Sequence, residues 1–381
     1  MAYTTYFDLV ESLIVSSYGG PQDAEQRDIR TAIHRAYDEL TTIRDWAYYH
    51  VHGRVALQAP YSTGTAEFDN SGLTDGVGTQ WDLVTDFSSH PKHFTLRVAD
   101  RNYPVTAYAS ATQMMISAGG FTSQPGAYTL FRSIYPLPSD FRNMDEPSDE
   151  YNWWSGLYIT PDQAMKLERV SNSSGEPYHW TIIKDPHGSG WAIKIVGYPT
   201  KQETLDFTYR RTARPIRYSG HEPALRQGTI ARVPPPITDT VTGSGTAFAP
   251  AMVGSILRVG DTANVPGPIE SLAPWAAESK ITAVGSATSL TTDTVATIAS
   301  STKYLITDPI DIAPHMHGAM DSACDYWLAR IRGTGEDKAF SMYQRDLRLA
   351  MEQDQLAPIS GRSRNVWHDG GWRSPLQADV G

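Results

Sequence analysis

The sequence has a single cysteine, Cys324, among its 381 residues. One cysteine supports neither an intrachain disulfide nor a cysteine-based zinc site, and we expect it to be a small core residue of a helix. No apolar run approaches the roughly 20 residues that a membrane-spanning helix needs, so we expect no membrane contact. The first residues lack the basic and apolar regions of a signal peptide, and we expect the chain to be used without export.

Charge is also scarce, since charged residues make up only 19% of the chain. The 32 basic and 42 acidic side chains give a net charge of −10, which argues against a dedicated nucleic-acid binder but allows a local basic surface. The hydrophobic fraction of 40% supplies a sizeable core and excludes global disorder. With 30 glycines and 25 prolines, this composition favours β-structure with many turns, in two or three domains.

Both ends of the chain show helical periodicity, and the middle does not. Apolar residues recur every three or four positions from Ile29 to Ala47 and from Met316 to Ile331. Gly333-Thr334-Gly335 predicts a break there, and Phe340 to Met351 continue the pattern in a second helix. Between them, strand-like runs alternate with turns. The predicted divisions are N-terminal helices at 1–50, a first β-module at 51–137, central strands at 138–228, a second β-module at 229–307, C-terminal helices at 308–357 and an extended C-terminal arm at 358–381.

An internal repeat is the most specific signal in the sequence. Four blocks occur twice in the same order, with loops of different length between them. The pairs are 76–81 with 243–248, 96–100 with 257–261, 105–114 with 281–290, and 127–130 with 303–306. The sequence therefore predicts an α+β fold: the terminal helices pack with a central antiparallel sheet as a discontinuous core, and two copies of a small β-barrel or sandwich module are inserted into it.

No catalytic motif is present: the chain lacks a Gly-x-Ser-x-Gly elbow, a phosphate-binding loop and a His-Glu-x-x-His motif. We therefore expect no enzyme activity, no cofactor and no metal. His315 and His317 are two positions apart and do not share a helix face, which disfavours a metal pair. A loop acidic cluster is expected to be solvated, although a cation site or a glycosidase pair stays open: Asp140, Asp145, Glu146, Asp149 and Glu150.

Six arginines fall between positions 210 and 232, and only Glu222 opposes them there. Such a strip predicts a local basic surface that could contact phosphates without sequence preference. The alternative is solvated arginines or salt bridges. Four of the six arginines lie close together at the start of the strip: Arg210, Arg211, Arg214 and Arg217.

A series of short patterns carries a family resemblance. Tyr-Pro-Leu-Pro-Ser-Asp-Phe at 135–141 is followed by Ala-Ile-Lys-Ile-Val-Gly-Tyr-Pro at 192–199 and by Leu-Asp-Phe-Thr-Tyr-Arg-Arg at 205–211. This series resembles neck and head-to-tail connector (adaptor) proteins of tailed bacteriophages. The Gly-x-Gly-Thr-aromatic block is similar to β-modules of phage virion proteins. The resemblance spans about 55–310, with helices on both sides.

The resemblance implies a homo-oligomeric ring, commonly of twelve subunits, that joins the portal to the tail around the DNA channel. In such a ring the arginine strip would form a positive band around the pore. The candidates for DNA-channel or inter-subunit charge are therefore Arg210, Arg211, Arg214 and Arg217. The implied partners are the portal protein, tail or nozzle proteins and genomic DNA that passes through non-specifically, in a virion assembled in the host cytoplasm. The alternative is a tail, baseplate or fibre component whose β-modules bind host glycan or decorate the virion. Aromatic anchors on an arm suit docking, and the candidate docking residues are Arg362, Arg364, Trp367 and Trp372.

Overall fold

The computed structural model describes residues 4–16, 23–99, 101–145, 158–170, 179–232, 239–268 and 271–356. The described residues form two compact units. Unit 1 comprises residues 4–48 together with 213–356, and unit 2 comprises residues 49–212. The fold is mixed α+β, which confirms the predicted class at that level. No helix within the described ranges is both long enough and apolar enough to cross a membrane.

Unit 2 contains a seven-stranded antiparallel sheet, here called the first sheet, in the order β7-β2-β3-β6-β5-β4-β8. Its strands are β2 Thr65–Phe68, β3 Leu73–Val77, β4 Phe94–Val98, β5 Arg101–Ser110, β6 Gln113–Ile116, β7 Ser123–Gly126 and β8 Tyr128–Arg132. The largest fully buried rings of its core are Trp81, Phe87 and Phe94. Alternating burial along β4 turns every second side chain into this core.

Two three-stranded antiparallel sheets complete unit 2, in the orders β1-β13-β10 and β11-β12-β9. Their strands are β1 His50–Leu57, β9 Ile134–Pro136, β10 Phe141–Met144, β11 His179–Lys184, β12 Trp191–Val196 and β13 Glu203–Arg211, accompanied by helix α3 Pro161–Val170. They share a core that includes Trp180, Ile193 and Leu205. Because β1 pairs with β13, the first sheet begins at Thr65 and not at residue 51.

Unit 1 contains the second seven-stranded antiparallel sheet, in the order β19-β14-β15-β18-β17-β16-β20. Its strands are β14 Thr229–Arg232, β15 Thr240–Ser244, β16 Ile256–Val259, β17 Ala277–Ser286, β18 Ser289–Thr292, β19 Ile298–Thr302 and β20 Tyr304–Thr307. The helices of unit 1 are α1 Tyr6–Ser16, α2 Asp23–Thr42, α4 His317–Arg332 and α5 Glu336–Leu356.

The two seven-stranded sheets have the same strand order when each is numbered along the chain. The four repeated sequence blocks fall on corresponding strands: the first ends β3 and β15, the second forms β4 and β16, the third spans β5–β6 and β17–β18, and the fourth lies on β8 and β20. Because the strand order is the same and the repeated blocks lie on corresponding strands, the same pattern of strand pairing occurs twice in the chain.

One tyrosine hydrogen bond in each of the two sheets also corresponds. The Tyr128 hydroxyl donates to the Thr63 carbonyl at 2.7 Å, and the Tyr304 hydroxyl donates to the Gln227 carbonyl at 2.8 Å. A glycine with positive φ follows each acceptor, with φ 84° at Gly64 and 77° at Gly228. A Cβ at either glycine would collide with a backbone carbonyl of the neighbouring turn, so these positions require glycine.

The helices near the two ends of the chain form where the periodicity predicts them, whereas α3 lies within the stretch at 138–228 for which the sequence predicts strands. In α2 the residues that share the core face are fully buried or nearly so: Ile29, Ile33, Ala36, Tyr37 and Leu40. Cys324 is a buried free thiol of α4, as predicted, and burial raises its pKa well above the usual value. Gly333 ends α4 in the left-handed conformation with φ 69°, which terminates the helix at the predicted break. Phe340 departs from the predicted stripe, because it is 40% exposed.

The grouping of elements differs from the predicted discontinuous core. The terminal helices share unit 1 with the second sheet, whereas the central strands share unit 2 with the first sheet. Arg258 of β16 shows the physical reason in unit 1, because its buried guanidinium donates to both carboxylate oxygens of Asp8 in α1, at 2.6 and 2.7 Å. It also donates to Glu278 at 2.7 Å. A buried charge with two carboxylate partners binds the helix to the sheet.

Candidate functional site

The predicted arginine strip is divided between the two units. Arg210 and Arg211 end β13 in unit 2, whereas Arg214 and Arg217 belong to unit 1. The Arg211 guanidinium lies 5.3 Å from the ring centroid of Tyr49, in a cation–π contact. Arg210 pairs through its backbone with β1. In unit 2, therefore, Arg211 covers an aromatic ring of its own unit.

Arg214 is used inside unit 1. Its guanidinium donates to the Val253 carbonyl at 2.9 Å, to the Ser255 hydroxyl at 3.2 Å and to the Asp308 carboxylate at 3.0 Å. The Arg217 backbone N–H donates to the same carboxylate at 2.6 Å, and its side chain is exposed. Arg217 is thus the one of the four candidates whose side chain is classed as exposed. The docking residues Arg362, Arg364, Trp367 and Trp372 lie outside the described residues.

The remaining candidates hold local structure together. Asp140 accepts a hydrogen bond from the Tyr209 hydroxyl at 2.9 Å, and Asp145 lies 2.8 Å from Nδ1 of His50. The rest of the acidic cluster, at 146–150, lies outside the described residues. His315 Nε2 is 3.6 Å from the Asp354 carboxylate. No group of three or more potential metal ligands is found within the described ranges.

Unit 2 has a groove of about 570 Å³ that the sequence analysis did not identify. Its walls come from the first sheet, from the loop after β6, from α3 and from β12. We call it the basic groove and define it by the residues that carry its charge and its exposed apolar surface: Lys92, Arg101, Phe121, Met165, Glu168 and Lys194. Because these residues are spread over 103 positions of the sequence, no local motif marks them.

The basic groove combines an apolar surface with a positive rim. Phe121 and Met165 are each 53% exposed, which leaves both side chains available to a binding partner. The Arg101 guanidinium lies 4.8 Å from the Phe121 ring centroid, so charge and aromatic surface are adjacent. Lys194 donates to Glu168 at 2.8 Å. Three basic groups and one acidic group give the groove a positive balance within an acidic chain.

A histidine cluster borders this groove in unit 2. The ring centroids of His90, His93 and His187 lie 5.0 to 5.4 Å from one another. His93 Nε2 is 2.7 Å from the Asp185 carboxylate, so it carries the proton and donates. His187 Nε2 accepts from the backbone N–H of Lys92 at 2.9 Å, which requires that nitrogen to be unprotonated. The contacts therefore need a neutral His187.

Electrostatics favour the same neutral forms. Burial lowers the pKa of His93, the hydrogen bond and charge of Asp185 raise it, and Arg132 and His90 lower it further, with a net lowering. Burial and the nearby His93, His90 and Lys92 lower the pKa of His187. For Asp185, burial alone would raise the pKa, but hydrogen bonds from His93 and the His187 backbone lower it overall. The cluster thus opposes added positive charge.

We predict that unit 2 loses stability as the pH falls below about 6.5, the ordinary histidine pKa. The unfolded state binds protons there that the folded His93 and His187 do not, so the free energy of unfolding decreases with falling pH. Urea denaturation between pH 5 and 8 measures this slope. The variant His93→Gln should flatten it, and the exposed His52→Gln should not. Equal slopes in wild type and His93→Gln would contradict the prediction.

The chain matches no protein-family model, no curated protein and no solved structure. Its function therefore has to be inferred from the chemistry of its own residues. Two features stand out for that purpose: the pairing pattern that occurs twice, and the basic groove beside the histidine cluster.

Proposed function

We propose that this chain is a structural virion protein of a tailed bacteriophage. In this proposal it forms a homo-oligomeric ring that connects the portal to the tail around the DNA channel, with tail or nozzle proteins on the other side. It acts by binding and not by catalysis. The ring order of the resembling family, commonly twelve, is the expected stoichiometry.

The observation that carries the proposal is the doubled pairing pattern. We infer that the two seven-stranded sheets are copies of one β-module, because strand order, sequence blocks and the tyrosine hydrogen bonds all correspond. Each sheet also exposes an apolar side chain in the loop between its fifth and sixth strands, Phe121 at 53% and Val295 at 55%. Two similar surfaces per subunit suit an assembly in which each copy contacts several neighbours.

We propose that DNA passes through the ring without being held by a band of four arginines. Arg214 pairs with the Asp308 carboxylate, so its charge is balanced without phosphate. Arg211 lies over the ring of Tyr49 in its own unit. Arg217 is left as the candidate for non-specific contact with DNA from this set. A net charge of −10 suits a channel through which DNA slides without being held.

The test is reconstitution with the portal protein encoded in the same genome. We expect the full chain alone to be a monomer or a loose oligomer, and to form a closed ring on the portal, as seen by mass photometry and electron microscopy. A chain that ends at residue 360 should keep the fold and lose portal docking, because it lacks the arginines and tryptophans of the arm. If the full chain stays monomeric in the presence of the portal protein and does not bind it, the proposal is wrong.

A further inference from the structure

We propose that the basic groove binds an acidic, aromatic segment of a neighbouring copy of this chain, at residues 146–154. The proposal rests on the ring proposed above, since a ring places identical copies side by side. It assigns the groove to the contact between subunits and the arm at 358–381 to the portal.

The groove suits a short peptide segment. Its volume of about 570 Å³ lies within the range of pockets that take a small molecule or a few side chains. The exposed ring of Phe121 and the exposed thioether of Met165 offer stacking and sulfur–aromatic contacts to an aromatic anchor. The Arg101 guanidinium beside Phe121 adds a cation for a carboxylate next to that anchor.

Charge selects the occupant. Lys92, Arg101 and Lys194 outnumber Glu168, so the groove favours a segment that carries carboxylates and no basic residues. Lys194 is already paired with Glu168, which leaves the charges of Lys92 and Arg101 for the carboxylates of a bound segment. A basic or neutral segment would not compensate these two charges when the groove is desolvated.

The chain contains one segment with this chemistry. Residues 146–154 read Glu-Pro-Ser-Asp-Glu-Tyr-Asn-Trp-Trp, with three carboxylates, three aromatic rings and no basic side chain. The arm at 358–381 has the opposite balance, with three arginines and two aspartates. The same charge rule therefore assigns the acidic segment to the groove and excludes the arm from it. Identical copies that exchange this segment form the head-to-tail contact that closes a ring.

A peptide-binding experiment tests the chemistry of the groove. The receptor is the full chain with Glu146→Gln, Asp149→Asn and Glu150→Gln, so that its own segment does not compete. A fluorescent peptide of residues 145–156 should bind it, and the same peptide with these three carboxylates changed to amides should bind at least tenfold more weakly. The double variant Lys92→Glu with Arg101→Glu should also lose at least tenfold in affinity. The exposed Arg54→Glu, on β1, is the control and should bind normally.

Circular dichroism and urea denaturation establish that each receptor variant is folded. Absence of peptide binding to a folded receptor overturns the proposal. Equal affinity for the acidic and the amide peptide does so as well, and so does tighter binding of a peptide of residues 360–376 from the arm. A peptide in which lysines replace these three carboxylates should bind the Lys92→Glu, Arg101→Glu double variant. Such binding would support the proposal independently, because the charges of the peptide and of the groove are then both reversed.

Cross-linking distinguishes a neighbouring copy from the same copy. Met165→Cys in one preparation and Trp153→Cys in another should form an intermolecular disulfide when mixed, and the buried Cys324 leaves little background. A disulfide that forms only when both substitutions are in one chain would overturn the assignment to a neighbour. The two proposals can be rejected separately. If variants of the groove still assemble into rings on the portal as the wild type does, the groove assignment is rejected. If the chain binds the peptide but does not bind the portal, the connector function is rejected.

Discussion

Replacing Asp308 by alanine is expected to destabilise unit 1 by about 3–5 kcal/mol, the usual cost of removing one partner of a buried ion pair. Asp308 is fully buried. One carboxylate oxygen accepts from the Ser255 hydroxyl at 2.7 Å and from Arg214 at 3.0 Å. The other accepts from the backbone N–H groups of Arg217 and Tyr218, at 2.6 and 2.8 Å. Alanine leaves two backbone donors and one cation unsatisfied at once.

Urea denaturation followed by circular dichroism measures the decrease in the free energy of unfolding. Calorimetry shows whether the unfolding transition of unit 1 or that of unit 2 shifts. Asp308→Asn should lie between wild type and Asp308→Ala, since it keeps the shape and loses the charge that balances Arg214. Adding Arg214→Met to Asp308→Ala should recover part of the loss, because the uncompensated cation is removed. Asp206→Ala is the matched control, since Asp206 forms a surface ion pair with Arg54 and should change little. If Asp308→Ala lowers the free energy of unfolding no more than Asp206→Ala does, the hydrogen bonds of Asp308 do not stabilise unit 1 as predicted.

Replacing Trp81 by alanine is expected to cost unit 2 about 3–5 kcal/mol, as for other large-to-small changes in a core. Trp81 is fully buried in the first sheet, where its indole N–H donates to the Tyr128 hydroxyl at 2.9 Å. The two rings meet edge to face, with centroids 5.9 Å apart. Alanine would leave a cavity against Tyr128 and would remove the aromatic pair.

The second sheet indicates which substitution unit 2 should tolerate. Phe248 stands at the corresponding position there and meets Tyr304 with ring centroids 5.8 Å apart. Trp81→Phe should therefore cost far less than Trp81→Ala, about 1 kcal/mol for the lost hydrogen bond plus a small packing loss. Leu83→Ala, in the same turn and 68% exposed, is the control and should be close to neutral. Equal losses for Trp81→Ala and Leu83→Ala would refute the role of Trp81 in the core.

Local patterns predicted the helices near the two ends of the chain but not α3, and the success has a physical reason. A helix brings together residues three and four positions apart, so the buried face of α2 can be recognised from the spacing of apolar residues in the sequence. Gly333 likewise marks the end of α4 because few other residues adopt its left-handed backbone. The repeated blocks also fall on corresponding strands, since alternation and turn residues are local signals.

Contacts between distant residues were not predictable in this way. Arg214 belonged to a run of arginines in the sequence, yet its partner Asp308 is 94 positions away. Lys92 and His187 are separated by 95 positions, and neither lies in a motif. Strand pairing decides which of these residues meet, and pairing depends on the whole topology and not on a local window.

By itself, the sequence determined the α+β class, the helical ends, the breaks at glycine and the two matched sets of blocks, because each of these depends on neighbours along the chain. Only the tertiary structure decided that the terminal helices belong with the second sheet and the central strands with the first. It also decided that Arg214 balances a buried carboxylate and that scattered residues form the basic groove. Burial creates the role of Arg214, since a charge needs a partner where water is excluded. The groove exists because folding brings together residues that are far apart in the sequence.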